Sequence, residues 1–170
     1  MNPNHPACWN ADELLAHCKL TFSRASGPGG QNRNKVETSV KVEFQLANIS
    51  AQASELRTQN ENRVVAMLRL RCRLAVELDW GTSVQDEVPS DLWARYSRNG
   101  RMNISETNAE WPALLSELIG CLRREDWDLG VTAELLKTSS SQLIKLLKKY
   151  APAMKLLNDH RTKQGQRPLA

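Results

Sequence analysis

Two runs of strict alternation between apolar and polar residues mark the N-terminal half of the chain. Cys18, Leu20 and Phe22 alternate with Lys19, Thr21 and Ser23. Downstream, Val36, Thr38, Val40, Val42, Phe44 and Leu46 alternate with Glu37, Ser39, Lys41, Glu43 and Gln45. A period of two puts successive side chains on opposite faces, which predicts half-buried strands at about 18–24 and 36–46. Ile49, Ala51 and Ala53 repeat the pattern weakly as a third strand. Asn10, with Glu13 three residues on, predicts a short capped helix through Ala16. The period then changes. Thr58-Gln59-Asn60-Glu61 is a capping box that opens a helix over about 59–78. Val64, Met67, Leu68, Cys72, Ala75 and Val76 form its apolar face, and Arg63, Arg69 and Arg73 lie around the other side. One such helix over a small, mostly antiparallel sheet is a two-layer α+β arrangement.

Beyond this unit, 79–100 reads as irregular with one helical turn at 90–96, and Met102 with Ile104 as a short fourth strand. A helix follows to Arg124, with Pro112 in its first turn and Leu115, Leu118, Ile119 and Leu122 on its apolar face. From Trp127 the pattern predicts a short helix, a break at Thr138 to Ser141, and a second helix capped by Ser139. Leu143, Ile144, Leu146 and Leu147 line one side of that helix, with Lys145, Lys148 and Lys149 beside them. Helix, short turn, basic helix is the outline of a helix-turn-helix, although the usual turn glycine is missing; a plain helical hairpin fits equally. Lys155, Arg161, Lys163 and Arg167 continue the basic run as a tail. The expected organisation is a domain over 10–124 with an extended loop at 25–35, then a basic helical module and tail over 125–170.

Charge sharpens this division. Residues 1–122 hold 13 Lys/Arg against 14 Asp/Glu, whereas 123–170 hold 10 against 5. Within the first part, residues 17–41 carry five basic residues against Glu37 alone. Positive charge concentrated at two places fits a polyanion, with ordinary solvated charge as the plain alternative. The four cysteines are widely spaced with no C-x-x-C pair, so neither a zinc site nor a disulfide framework is expected. No metal or cofactor is expected either. No apolar run approaches membrane-span length and no secretory pattern opens the chain, which points to the cytoplasm and away from membranes.

Between the first two strands lies Ser26-Gly27-Pro28-Gly29-Gly30-Gln31-Asn32-Arg33-Asn34-Lys35. A phosphate-cradling loop would need a Gly-Lys-Ser/Thr ending that opens a helix, and a dinucleotide fingerprint a strand-to-helix context; neither is present. His5, His17 and His160 lack motif partners, and the carboxylates form no recognisable pair. Any catalysis must therefore come from backbone groups and amides delivered to a site that another molecule supplies. Gly29 and Gly30 let the backbone approach closely. An N–H there can stabilise an oxygen that gains negative charge, and the Gln31 amide can position or exclude a water.

The run Arg24 to Lys35 resembles the catalytic loop of bacterial-type class I peptide chain release factors, with its Ser-Gly-x-Gly-Gly-Gln-x-x-Asn signature. Thr38-Ser39-Val40-Lys41-Val42, Arg57-Thr58-Gln59, Asn62-Arg63 and Ala66 are similar to further elements of that domain, so the resemblance covers about 10–78. It implies ribosome-dependent hydrolysis of the peptidyl-tRNA ester, with Gly29, Gly30 and Gln31 catalytic and Gln31 a target of N-methylation. The chain is also similar to the short, codon-independent members that rescue stalled ribosomes, since 170 residues leave no room for segments that read stop codons. The expected RNA contacts are Arg24, Arg33, Lys35, Arg57 and Arg63 around the loop, and Lys145, Lys148, Lys149, Lys155, Arg161 and Lys163 toward the C terminus. The expected partners are the ribosome, its large-subunit RNA and peptidyl-tRNA, with small-subunit RNA for the C-terminal module and the protein itself a monomer. A non-catalytic RNA-binding module is the alternative. Arg33 stands where the family commonly has an apolar residue, and Thr58 where it has Ser.

Overall fold

The computed structural model describes residues 5–24, 37–80 and 88–169. A 3-10 turn at Pro6–Cys8 and α1 (Ala11–Leu15) lead into a three-stranded antiparallel sheet of β1 (Cys18–Ser23), β2 (Ser39–Phe44) and β3 (Ile49–Ala53), in that order. The predicted alternation sets the register: Val40, Val42 and Phe44 lie opposite Ala53, Ala51 and Ile49, and all six are buried on one face.

That face is covered by α2 (Gln59–Glu77), whose Thr58–Glu61 capping box forms with both halves made. α4 (Trp111–Arg124) packs on α2 away from the sheet. The predicted apolar face of α2 needs correction for this reason. Val64 is 63% exposed and Leu68 half-buried, whereas Ala66, Leu70 and Leu74 are buried. A helix covered on two sides buries more than the single stripe that a surface helix shows.

Residues 91–102 form α3 (Asp91–Tyr96) and a separate hairpin, β4 (Ser97–Arg98) with β5 (Arg101–Met102). Met102 is thus not in a fourth strand of the main sheet, and Ile104 is a buried residue outside any strand. Asn99 and Gly100 turn this hairpin with φ of 50° and 72°, a two-residue turn that favours an Asn-Gly pair.

The C-terminal third is α5 (Leu129–Leu135), α6 (Ser140–Lys148) and α7 (Ala151–Lys163). The expected basic tail is largely α7: Pro152 sits in its first turn, where a missing N–H costs nothing, and Ala153 and Leu157 are fully buried. Leu136, Leu143, Leu146 and Leu147 join the same core cluster as the sheet and α2.

Candidate functional site at the base of the glycine loop

Gly29, Gly30, Gln31, Arg33 and Lys35 lie outside the described residues, so the site is seen at its root. The β1–β2 ladder ends at Ser23 opposite Ser39, and the chain between them carries the Gly-Gly-Gln run. The downstream root is held at three successive residues. Gln59 Nε2 donates to Glu37 O at 2.9 Å, Asn62 Nδ2 to Thr38 O at 2.8 Å, and Gln52 Nε2 to Ser39 Oγ at 2.9 Å.

Asn62 is the centre of this clamp. It is fully buried; its Nδ2 also donates to Leu56 O at 3.0 Å, and its Oδ1 accepts from Leu56 N at 3.0 Å. Both amide hydrogens and the oxygen are thereby used, which is what makes a buried amide tolerable. One side chain ties the β3–α2 connection to the segment that emerges from the loop. Thr58 fixes where α2 begins, its Oγ1 accepting from Glu61 N at 3.2 Å and its N–H donating to Glu61 Oε2 at 3.1 Å. The residue types at 58, 59 and 62 thus have a mechanical reason: they set the angle at which the strand leaves the loop. Residue spacing alone does not show this clamp, because its partners are backbone carbonyls 22 and 24 residues away.

The predicted basic residues separate by what they touch. Arg24, Arg57 and Arg63 are exposed; Arg24 follows the last residue of β1, and Arg57 and Arg63 adjoin Leu56 and Asn62, the residues tied to one another and to Thr38. By contrast, Arg69 donates to Gln52 O at 2.9 Å and pairs with Glu55, and Arg73 donates to Ser50 O and pairs with Glu77 at 2.7 Å. The Ser54 amide, with help from Arg69, holds the Glu55 carboxyl below its usual range against the cost of desolvation. On the C-terminal helices Lys145, Lys148, Lys155 and Lys163 are exposed. Lys155 pairs with Asp159 at 2.6 Å. Lys149 is half-buried, donating to Ile104 O and lying 5.9 Å above the Trp111 ring. Arg161 donates to Arg167 O at 3.0 Å. Among the described residues no His, Cys, Asp and Glu cluster could hold a metal ion, and no helix is long and apolar enough to cross a membrane.

Comparison with known protein families matches the part of the chain that carries this root. A family model described as the RF-1 domain matches residues 14–106, which extends the likeness through α3 and the β4–β5 hairpin. A chloroplastic peptide chain release factor, PrfB1, of Arabidopsis thaliana is 31% identical over 41% of this chain and 19% of its own length. Peptide chain release factor 1 of Streptococcus pneumoniae (strain Hungary19A-6) is 49% identical, and that of Streptococcus uberis 44%, each over 34% of this chain and 16% of its own length. The chain therefore spans less than a fifth of these relatives. No solved structure gives a significant match. With more than half its residues inside the matched domain, this chain belongs to the RF-1 domain family of class I peptide chain release factors.

Proposed function

We propose that the protein hydrolyses the ester of peptidyl-tRNA on the ribosome without reading a codon, releasing the nascent chain from stalled complexes. The observation that carries this reading is the Gly29-Gly30-Gln31 run on a connection whose downstream root is pinned by Asn62, Gln59 and Gln52. A group that must be placed within an ångström or so of a reacting ester needs a fixed base, since misplacement on that scale costs orders of magnitude in rate.

In the proposed reaction, water attacks the ester carbonyl carbon in the peptidyl transferase centre. The bond to the ribose oxygen breaks, that oxygen takes up one of the water's protons, the other passes to solvent, and the peptide leaves as a carboxylate. The Gln31 backbone N–H stabilises the oxygen on which charge develops, and the Gln31 amide excludes nucleophiles larger than water. Gly29 and Gly30 let the backbone come close. Arg24, Arg33, Lys35, Arg57 and Arg63 engage ribosomal RNA phosphates, which orient the domain without reading sequence. The relatives' name, peptide chain release factor, supports the release chemistry. The excess of basic residues over 123–170 supports attachment to RNA that needs no codon.

The test is peptide release by the purified protein on ribosomes carrying truncated, non-stop or stop-codon messages. Release is expected on truncated messages; Gln31→Pro, which removes the backbone N–H, should lower it by about 10²–10³-fold, the usual cost of one preorganised donor, and Gly30→Ala should lower it by obstructing the close approach. Release that persists in both variants overturns the mechanism, and release confined to stop codons overturns the codon-independent form. Salt-sensitive ribosome binding without hydrolysis would make the chain an RNA-binding module.

A further inference from the structure

We propose that α5 and α6 form a helix-turn-helix whose second helix lies against the phosphates of an RNA duplex. The inference deepens the ribosomal reading above and rests on it for the choice of RNA.

The turn comes first. Four residues, Leu136 to Ser139, join the two helices, and Lys137 adopts φ +50°. Lys137 N donates to Glu134 O at 3.1 Å, and Thr138 N to Ala133 O at 2.9 Å, closing the end of α5 as a left-handed cap does. The sequence lacks the customary turn glycine, yet Lys137 takes the conformation that such a glycine would supply. Ser139 then caps α6, accepting from Gln142 N at 3.3 Å.

The unit is also braced. Leu136, Leu143 and Leu147 are fully buried, Trp93 Nε1 donates to Leu136 O at 3.1 Å, and Thr138 Oγ1 donates to Gly100 O. The inner face of α6 is thus committed to the core.

The outer face is not. Ser141, Lys145 and Lys148 are the exposed residues of α6, one row at spacings of four and three. No hydrogen bond or ion pair among the described residues holds either lysine. Glu134 is the only carboxylate between 129 and 149. A bare cationic row on a braced helix is complementary to a polyanion.

The row's chemistry selects the partner. Guanine is read in a B-form major groove by Arg or Lys and adenine by Asn or Gln, and of these the exposed row offers only lysine, a point charge rather than a planar fork. Serine and lysine suit phosphates. The A-form major groove is too deep and narrow to be read, so RNA duplexes are recognised by shape and backbone. A helix whose exposed row is rich in phosphate ligands and has no Arg, Asn or Gln fits that surface.

The experiment measures binding of the full chain to a 20-base-pair RNA duplex, a DNA duplex of the same sequence and single-stranded RNA, across a salt series. The expected result is tightest binding to duplex RNA. The double variant Lys145→Gln/Lys148→Gln should keep its thermal unfolding midpoint, bind at least about tenfold more weakly near physiological salt, and show a smaller salt slope. Equal binding by wild type and double variant, or tighter binding to the DNA duplex, overturns the proposal. Gln31→Pro separates it from the ribosomal hydrolysis: that variant should lose release yet bind duplex RNA as wild type does. If wild type releases no peptide yet its duplex binding still depends on Lys145 and Lys148, the release reading fails and the contact stands.

Discussion

Arg69 and Arg73 on α2, and Lys145 and Lys148 on α6, make the same impression in the sequence: cations three or four apart on the polar side of an amphipathic helix. The structure separates them. The arginines reach across to carbonyls of the edge strand β3 and are paired with Glu55 and Glu77. They are part of a set of stitches along α2. Asn62 holds Thr38 and Leu56, Arg71 holds Ala7 O at 2.9 Å and Ala109 O at 2.7 Å, and His5 and Arg123 both reach Leu78 O beyond the helix. Among the described residues the α6 lysines stitch nothing. Charge counts locate basic segments, but only partners reveal which cations the fold has already used.

The largest effect should come from the deepest stitch. Asn62→Leu leaves Thr38 O, Leu56 O and Leu56 N without their partner inside the protein. At about 1–3 kcal/mol for a buried polar group so abandoned, the loss should reach about 3–4 kcal/mol in denaturant unfolding. Peptide release, followed under conditions where the variant is still folded, should fall further than stability explains, because the loop root is loosened. Unchanged release by folded Asn62→Leu would break the link between clamp and site.

His5 sharpens the comparison through pH. Burial, the largest influence, pushes its pKa down from 6.5 to about 4, against the Leu78 carbonyl, which favours the charged ring. Its Nδ1 accepts from Ala7 N at 3.1 Å, a bond that a protonated ring cannot make. A folded pKa below the unfolded one means that the unfolded chain takes up the proton first. Stability from neutral His5 is therefore complete above about pH 6.5 and lost as pH falls toward 4, on the order of 2–3 kcal/mol in all. His5→Asn should flatten that part of the stability–pH curve; an unchanged slope would show that His5 is not its source.

The smallest effects test the contrast itself. Arg69→Met with Arg73→Met should cost about 1–2 kcal/mol, since both ion pairs are partly exposed and the main loss is the carbonyl contacts. It should also raise self-association in light scattering, because β3 loses its guard. Lys145→Gln with Lys148→Gln should change stability by less than about 0.5 kcal/mol. Equal costs for the two pairs would erase the distinction.

Several parts of this molecule were legible in the residues. Period-two alternation placed the strands because one face of the sheet is buried, and the Thr58–Glu61 box placed α2 because a cap is a local interaction. The Asn99-Gly100 pair carried a hairpin signal at β4–β5, but with only two residues per strand no alternation drew attention to it. The end of the chain looked like a tail because its basic run ends in Gly165 and Pro168, and the burial of α7 rests on little more than Ala153 and Leu157. The Gly-Gly-Gln chemistry could be argued from residue types, whereas the Asn62 clamp could not, since its partners are carbonyls that every residue possesses. The Lys137 turn was hidden for a similar reason: left-handed geometry was imposed by tertiary packing on a residue that does not prefer it.

The bond from the Trp93 indole to the end of α5 has a consequence for reach. Through it, and through Thr138 on the Gly100 carbonyl, the outermost helices hang from the same frame that anchors the loop's exit strand. α6 and the exit strand β2 are thereby held in one frame, so whatever takes hold of α6 also fixes where β2 must lie.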